Sequence, residues 1–499
     1  MENTFDHVLR DLSALARPAR TGDDARDARM ADERTLADLV DALARGADAS
    51  RGDRLRGALL SGASIDRIVS VYLKSGAHSR ARHHLLRLLA ASGERDALAA
   101  FAGLIAAEPP CNSSEAALAF APLFHHRALM AEALFPKLWE CLEHPATAAL
   151  VLDLANFLGR GGQVAVHPGA PRVGQLAALL GGLVNRLARL QEHPEEFGGT
   201  PAALRTIVGE SMGLVVALCD ALALIGDTSV TGKLHQALEL THRRVRTEAA
   251  FALARLGDDA GVDALARMAA EPSARSRALT YLEELGLTDR ASEADRSPAA
   301  RAEGELAAWL AQPTRFGLPP SAIELIDESR QHWPGFAEPV DCYLFRYEYA
   351  WQGRAQSNIA IVGPALHAIA ADLADLPPAD IYAAYAGWSA EHEEIDETAA
   401  EVFTPAQLAA WRKLHLELAG MGYDDLRPIK CTRFFGETHW VAAARRGDQP
   451  GILVHDGTHA EWHPCGVGSR PLGPTEIYQI HKGRKLLRAF NRKGRGIKD

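Results

Sequence analysis

Apolar positions recur at spacings of three and four along most of the first 287 residues, the period of helices that bury one stripe. One phrase returns within that pattern: "ALALIGD" at 221–227 is echoed by "ALARLGD" at 252–258 and more loosely by "YLEELGL" at 281–287. Each copy reads as a helix end. Gly226, Gly257 or Gly286 supplies a left-handed cap, and an apolar run such as "VTGKLHQAL" or "GVDALARMA" opens the next helix. The glycines stand about 30 residues apart, a period of stacked helix pairs, none of which can bury its own stripe alone. Gly93 and Gly159 fit the register at about two periods.

The same spacing crosses Thr200 to Gly226 through Leu204, Val208, Ser211, Val215, Leu218, Leu222 and Ile225, and predicts one helix opened by Thr200-Pro201. Inside it lies Gly209-Glu210-Ser211-Met212-Gly213, the G-x-S-x-G spacing of a nucleophile elbow. An elbow presents its serine on a sharp strand-to-helix turn and needs parallel strands before it. Positions 1–200 hold no run rich in β-branched or aromatic residues, so the helical reading leads. Gly209 and Gly213 then share a face, where small residues would let a neighbouring helix approach. The alternative is a hydrolase using Ser211 with His235 or His242.

At "VRTEAAFALARLGDDAGVDALARMAAEP" the chain resembles a HEAT repeat, close to the short form also seen in phycobilin lyases. The resemblance covers 211–287 and extends back to about residue 80, where "HHLLRLLAASGERDALAAFAGLIAAEPP" has the same shape. It implies an α-solenoid over 1–287 that serves as a protein-binding scaffold. A few such families are enzymes, and a chromophore lyase is suggested by repeat style alone.

After the repeats the pattern changes. The polar stretch 288–304 reads as a linker. "CYLFRYEYAW" at 342–351 alternates with period two, putting Tyr343, Phe345, Tyr347, Tyr349 and Trp351 on one face of a strand, expected to be core under the two helices that follow. "AQSNIAIVG" makes its hairpin partner. Helices are predicted from Pro364, around "PPADIYAAYAGWSAEHEEI", and from Thr404-Pro405. Strands follow at "KCTRFFGETHWVAAARR" and "GILVHDGTHAEWH", the latter folded at Asp456-Gly457. Residues 305–480 thus form an α+β domain, and the fold class is mainly α: a HEAT-like solenoid followed by a smaller α+β domain.

Composition adds bounds. The 499 residues exceed one core, and 6% aromatic content with abundant Ala and Leu excludes an all-β chain. A net charge of -10 argues against a surface that tracks nucleic acid throughout. Six scattered cysteines without C-x-x-C, a charged start and no uninterrupted membrane-length run predict a cytoplasmic protein without a membrane partner.

Candidate chemistry is sparse. Cys431, His439, His455, His459, His463 and Cys465 are zinc-type ligands at no known zinc spacing. "SAEHEEIDETAAE" sets His392 and Asp396, Glu393 and Glu397, and Glu394 and Thr398 four apart on a helix, a possible cation site or a solvated face. The pairs His83-His84 and His125-His126 point apart on their helices. No cofactor and no metal is called for. The last segment, 481–499, is a basic tail whose Lys482, Arg484, Lys485, Arg488, Arg492, Lys493 and Arg495 are the candidate binding residues, for nucleic acid or an acidic protein patch. The leading expectation is an interaction scaffold or adaptor with an unidentified protein partner and no catalysis of its own.

Overall fold

The computed structural model describes residues 62–74, 81–110, 112–125, 131–198, 200–351, 353–369, 373–389, 396–434, 436–465 and 471–493. Its contacts divide the chain into two units: one reaching Arg267 together with Tyr281–Arg290, the other Met268–Thr280 with everything from Ala291 onward. The chain is mainly helical, with two antiparallel sheets confined to the second unit.

The helices of the first part are α1 (Gly62–Lys74), α2 (Ala81–Ser92), α3 (Arg95–Ala107), α4 (Ser113–Phe120), α5 (Ala131–Leu138), α6 (Pro145–Arg160), α7 (Val173–Glu192), α8 (Pro201–Ile225), α9 (Thr231–Leu238), α10 (Arg243–Arg255), α11 (Asp259–Ala269) and α12 (Pro272–Glu284). One apolar cluster runs through them from Ile65 to Leu253. The recurring phrase is a recurring helix end. Gly226, Gly257 and Gly286 have φ of 80°, 84° and 69°. At two of them the next N–H closes back on the helix, Asp258 N to Leu253 O at 3.0 Å and Leu287 N to Leu282 O at 2.8 Å. This pairing satisfies carbonyls left open by the helix end and turns the chain for the next helix.

α8 runs without a break through Gly209–Gly213, so no strand enters an elbow at Ser211, which is 8% exposed on the helix. His235 is engaged elsewhere, 2.8 Å from Asp258. The expected reason for the two glycines fails: a Cβ at Gly209 or Gly213 would meet nothing within 4 Å. The window Thr206–Ile225 is long and apolar enough to cross a membrane, yet half of it is buried, and α8 packs against α6, α7 and α10. His83 and His84 do not point apart; their rings lie 4.0 Å from each other. His126 lies outside the described residues.

The stretch 288–304 is not a linker. Ser292 caps α13 (Glu293–Arg296), and Ser297 caps α14 (Pro298–Leu310) by accepting from Ala300 N, with Pro298 in the first turn. The first sheet follows as the meander β1 (Ala322–Gln331), β2 (Val340–Trp351), β3 (Arg354–Val362) and β4 (His367–Ile369), in sequential order. The segment after Pro364 thus supplies β4 where a helix was expected. Tyr343, Phe345 and Tyr347 are core, but under the preceding helix α14, through Ala302, Leu306 and Leu310. The opposite face, with Cys342 and Leu344, packs on α15 (Pro378–Ser389). Period two fixed both faces of β2; which helix covered which face depends on chain path.

β5 (Asp396–Ala399) and α16 (Pro405–Gly420) come next, the helix opened by a reciprocal capping box between Thr404 and Gln407. Then β6 (Asp424–Phe434), β7 (Glu437–Arg446), β8 (Gln449–His455) and β9 (Ala460–Pro464) form a second meander, with β5 added at the β6 edge. α17 (Pro474–Lys493) closes the described chain. α16 covers one face of this sheet through Trp411, Leu414 and Leu418, and α17 the other through Ile477 and Tyr478.

The second unit therefore states one plan twice: a Ser/Thr-Pro-capped helix on one face, a four-stranded meander, and a closing helix on the other face. The closing helices share wording, "PPADIYAAYAGW" at 377–388 and "GPTEIYQIHKGR" at 473–484. They pack against each other reciprocally. A Cβ at Gly387 would run into the Gln479 carbonyl oxygen, and one at Gly483 into that of Ala383. Gln479 and Ala383 occupy the same place in the two phrases, so each glycine receives the backbone of the other helix, the relation a two-fold axis imposes.

Candidate functional site

The seven basic residues assigned to a tail fall on or beyond α17, which is a core helix. Lys482 is 1% exposed, its ammonium 5.8 Å from the Phe434 ring. Arg484 donates to Asp380 at 2.9 and 2.6 Å and also to Glu461. Lys485 reaches Glu437 and Asp456, each at 2.6 Å. Arg488 is exposed; Arg492 and Lys493 lie on the last turn, and Arg495 is outside the described residues. Three of the seven cations are thus turned inward, because Ile477, Ile480 and Leu486 on the same helix are buried. A salt-sensitive comb of phosphate contacts needs unpaired cations facing solvent; Lys482 is buried, and Arg484 and Lys485 are only partly exposed and already paired with carboxylates.

The two closing helices differ where they matter chemically. Tyr385, Ala386 and Trp388 of α15 correspond to His481, Lys482 and Arg484 of α17. Since α15 folds with aromatic and small residues there, the module does not require the polar set. That set gathers under α17. Glu461 accepts from His463 at 3.2 Å, from His481 Nδ1 at 2.7 Å and from Arg484. Burial opposes its ionisation, but these hydrogen bonds and the Arg484 charge outweigh it and hold the carboxyl well below the usual range. Asp456 is held low in the same way: burial resists, while Lys485 and the backbone N–H groups of His459 and Thr458 prevail.

His439 sits beside this network, 0% exposed, its ring 5.4 Å from that of His481. Among the described residues neither ring nitrogen has a hydrogen-bond partner, the nearest carboxylate being Glu437 at 3.7 Å from Nε2, nor does His481 Nε2. Burial first, then the Lys485 and His481 charges, lowers its pKa to about 4.

The zinc-type residues do not converge. Cys431 and His455 take the α16 face, His439 and His463 the α17 face. His459 is in the 456–459 loop, where Asp456 accepts from Thr458 N and His459 N; the register His455 to Ala460 makes this turn longer than the expected two residues. Among the described residues no group of three metal donors forms. The helical spacing expected of the acidic stretch does not hold at its described end: Asp396, Glu397 and Thr398 belong to β5, paired with β6, and Glu397 meets Lys430 at 3.2 Å. His392, Glu393 and Glu394 lie outside the described residues.

A further feature of this module is exposed rather than buried. α16 buries Trp411, Leu414 and Leu418 against its sheet. Its outward side carries Leu408 at 40% and Leu416 at 75% exposure, with Val402 and Met421 exposed just beyond its ends. Ala409 and Ala419 extend this side, and Arg412 stands in it without an ion pair or hydrogen bond among the described residues. Leu408, Arg412 and Leu416 form one i, i+4, i+8 line. The mean solvated helix does not spend leucines this way, and apolar patches with a polar element mark binding surfaces. The sequence carried the signal, since "LAAWRKLHLELAG" has apolar residues on more of its circumference than one sheet can cover. No family model, curated protein or solved structure matches the chain.

Proposed function

We propose that this protein is an interaction scaffold: its helix pairs stack as a HEAT-like solenoid, and it engages a protein partner by shape and side-chain complementarity, without bond-making of its own. The observation that carries this reading is the apolar outer face of α16, where Leu408 and Leu416 remain in water. Exposing two leucines forgoes about 1.5–3 kcal/mol apiece relative to full burial, a gain that a partner recovers on docking. The recurring Gly-capped helix ends support the stacked-pair arrangement, since each pair leaves a stripe that its neighbour must cover.

The test compares proteins recovered in stoichiometric amount on the full chain and on the Leu408→Glu/Leu416→Glu variant. Both side chains are exposed, so the variant is expected to keep the parent Tm within about 2 °C, as surface changes do. Loss of the bound protein from the variant supports the reading. A chain that holds no protein in stoichiometric amount on any surface contradicts it.

A further inference from the structure

The repeated plan of the second unit makes α14 and α16 counterparts, and only one of them is covered. α12 lies across α14: a Cβ on Gly304 would stand 3.2 Å from both the Pro272 carbonyl oxygen and the Ser276 hydroxyl. Arg275 of α12, 5% exposed, donates to Ala300 O at 2.8 Å and to Glu303 at 2.6 Å. At about 100° per residue, Ala300 and Gly304, which α12 meets, stand about 120° and 160° round α14 from its sheet-facing stripe, and Leu408, Arg412 and Leu416 about 90° to 170° round α16 in the same sense. The exposed line of α16 is therefore the flank that α12 occupies in the first module.

We infer that the outer face of α16 receives a single amphipathic helix of a partner protein, in the place α12 takes on α14, with a carboxylate of that helix on Arg412. This rests on the scaffold reading and names the site and chemistry of its partner. Two differences from the intramolecular case set the partner's character. Arg412 and Leu416 stand where α14 has Ala300 and Gly304, so the incoming helix stands farther off, at the about 8–10 Å of ridge-into-groove packing, and meets Leu408 and Leu416 with its own apolar i, i+3, i+4 stripe. The charge is also inverted: α14 offers Glu303 to an arginine, whereas α16 offers Arg412, whose complement is Asp or Glu. A second copy of this chain is a poor occupant, because a two-fold pairing of the Leu408–Arg412–Leu416 line sets Arg412 against its own copy at the centre.

The experiment places a photo-reactive benzoylphenylalanine at position 416 of the full chain in living cells, with the same reagent at Leu118, an exposed leucine of α4, for comparison. The expected result is an adduct from 416 to another polypeptide, within a segment that has a helical apolar stripe and an acidic residue. A synthetic peptide of that segment then binds the full chain one to one. Arg412→Glu weakens it at least about tenfold, Arg186→Glu, on an exposed arginine of α7, leaves it unchanged, and reversing the acidic residue to Lys restores binding to Arg412→Glu. An adduct from 416 to a second copy or to the chain itself, to a segment without helical patterning, or no adduct at 416 while Leu118 yields one, overturns the inference and leaves the scaffold reading standing. Absence of adducts from both positions, with no stoichiometric partner, removes both.

Discussion

Single residues in this protein separate glycines that cost from glycines that are required. Gly209 and Gly213 sit mid-helix with nothing near a prospective Cβ, so replacing either by Ala is expected to raise stability by about 0.5–1 kcal/mol through the unfolded chain, read by urea denaturation. Gly387 and Gly483 are also mid-helix, yet a Cβ there enters a carbonyl of the facing helix, and Ala at either should cost about 1–3 kcal/mol or more. Sequence alone could not separate the two classes, because propensity is identical and only the neighbouring helix differs. The histidines give a pH signature. His439, His84 and His167 have pKa values lowered from 6.5 to about 4, chiefly by burial. The unfolded chain binds more protons than the folded one between those limits, so stability falls as pH drops from about 6.5 toward 4. Glu461 and Asp456, held low, lose their contribution only below the ordinary carboxylate range. Tm should therefore decline already between pH 6.5 and 5, and His439→Leu should flatten part of that decline; a Tm unchanged over this interval contradicts the buried neutral histidines.

At the scale of elements, boundaries were legible where capping chemistry was local. Thr404-Pro405 and Gly257-Asp258 marked a helix start and a helix end that the structure places there. Ser297-Pro298 carried the same start signal, but a polar neighbourhood masked it and α14 read as linker. α17 was read as a basic tail for a related reason: its cations are prominent in composition, while the Ile477, Ile480 and Leu486 stripe that buries it becomes visible only against α15 and the second sheet. The expectation is accordingly that ending the chain at Ile480 unfolds the second unit rather than merely removing a binding tail. It removes Leu486 and the Gly483 crossing together with the Arg484 and Lys485 ion pairs, and the sheet signal in circular dichroism should fall. A truncated chain with an unaltered spectrum would contradict the packing described for α17.

For the whole molecule, the helical first part and α+β second part were expected from hydrophobic period alone. The internal repeat of the second unit was not, although "DIYAAYAGW" and "EIYQIHKGR" announce it; its interval is far longer than the helix-pair period that drew attention. Two copies of one plan give a reference that no outside comparison supplies. Where they differ, the fold did not demand the difference. By that measure the added strand β5, the His481, Lys482 and Arg484 set and the uncovered flank of α16 are departures, and the last faces solvent, where a partner can reach it.

Hydrogen–deuterium exchange on the full chain, alone and with the partner captured through position 416, tests this most directly. With only three side chains buried, α16 should exchange readily when free and slow at least about tenfold over 405–420 in the complex, while α14, already covered by α12, stays unchanged. Protection that appears elsewhere and leaves 405–420 as fast as before would contradict the account.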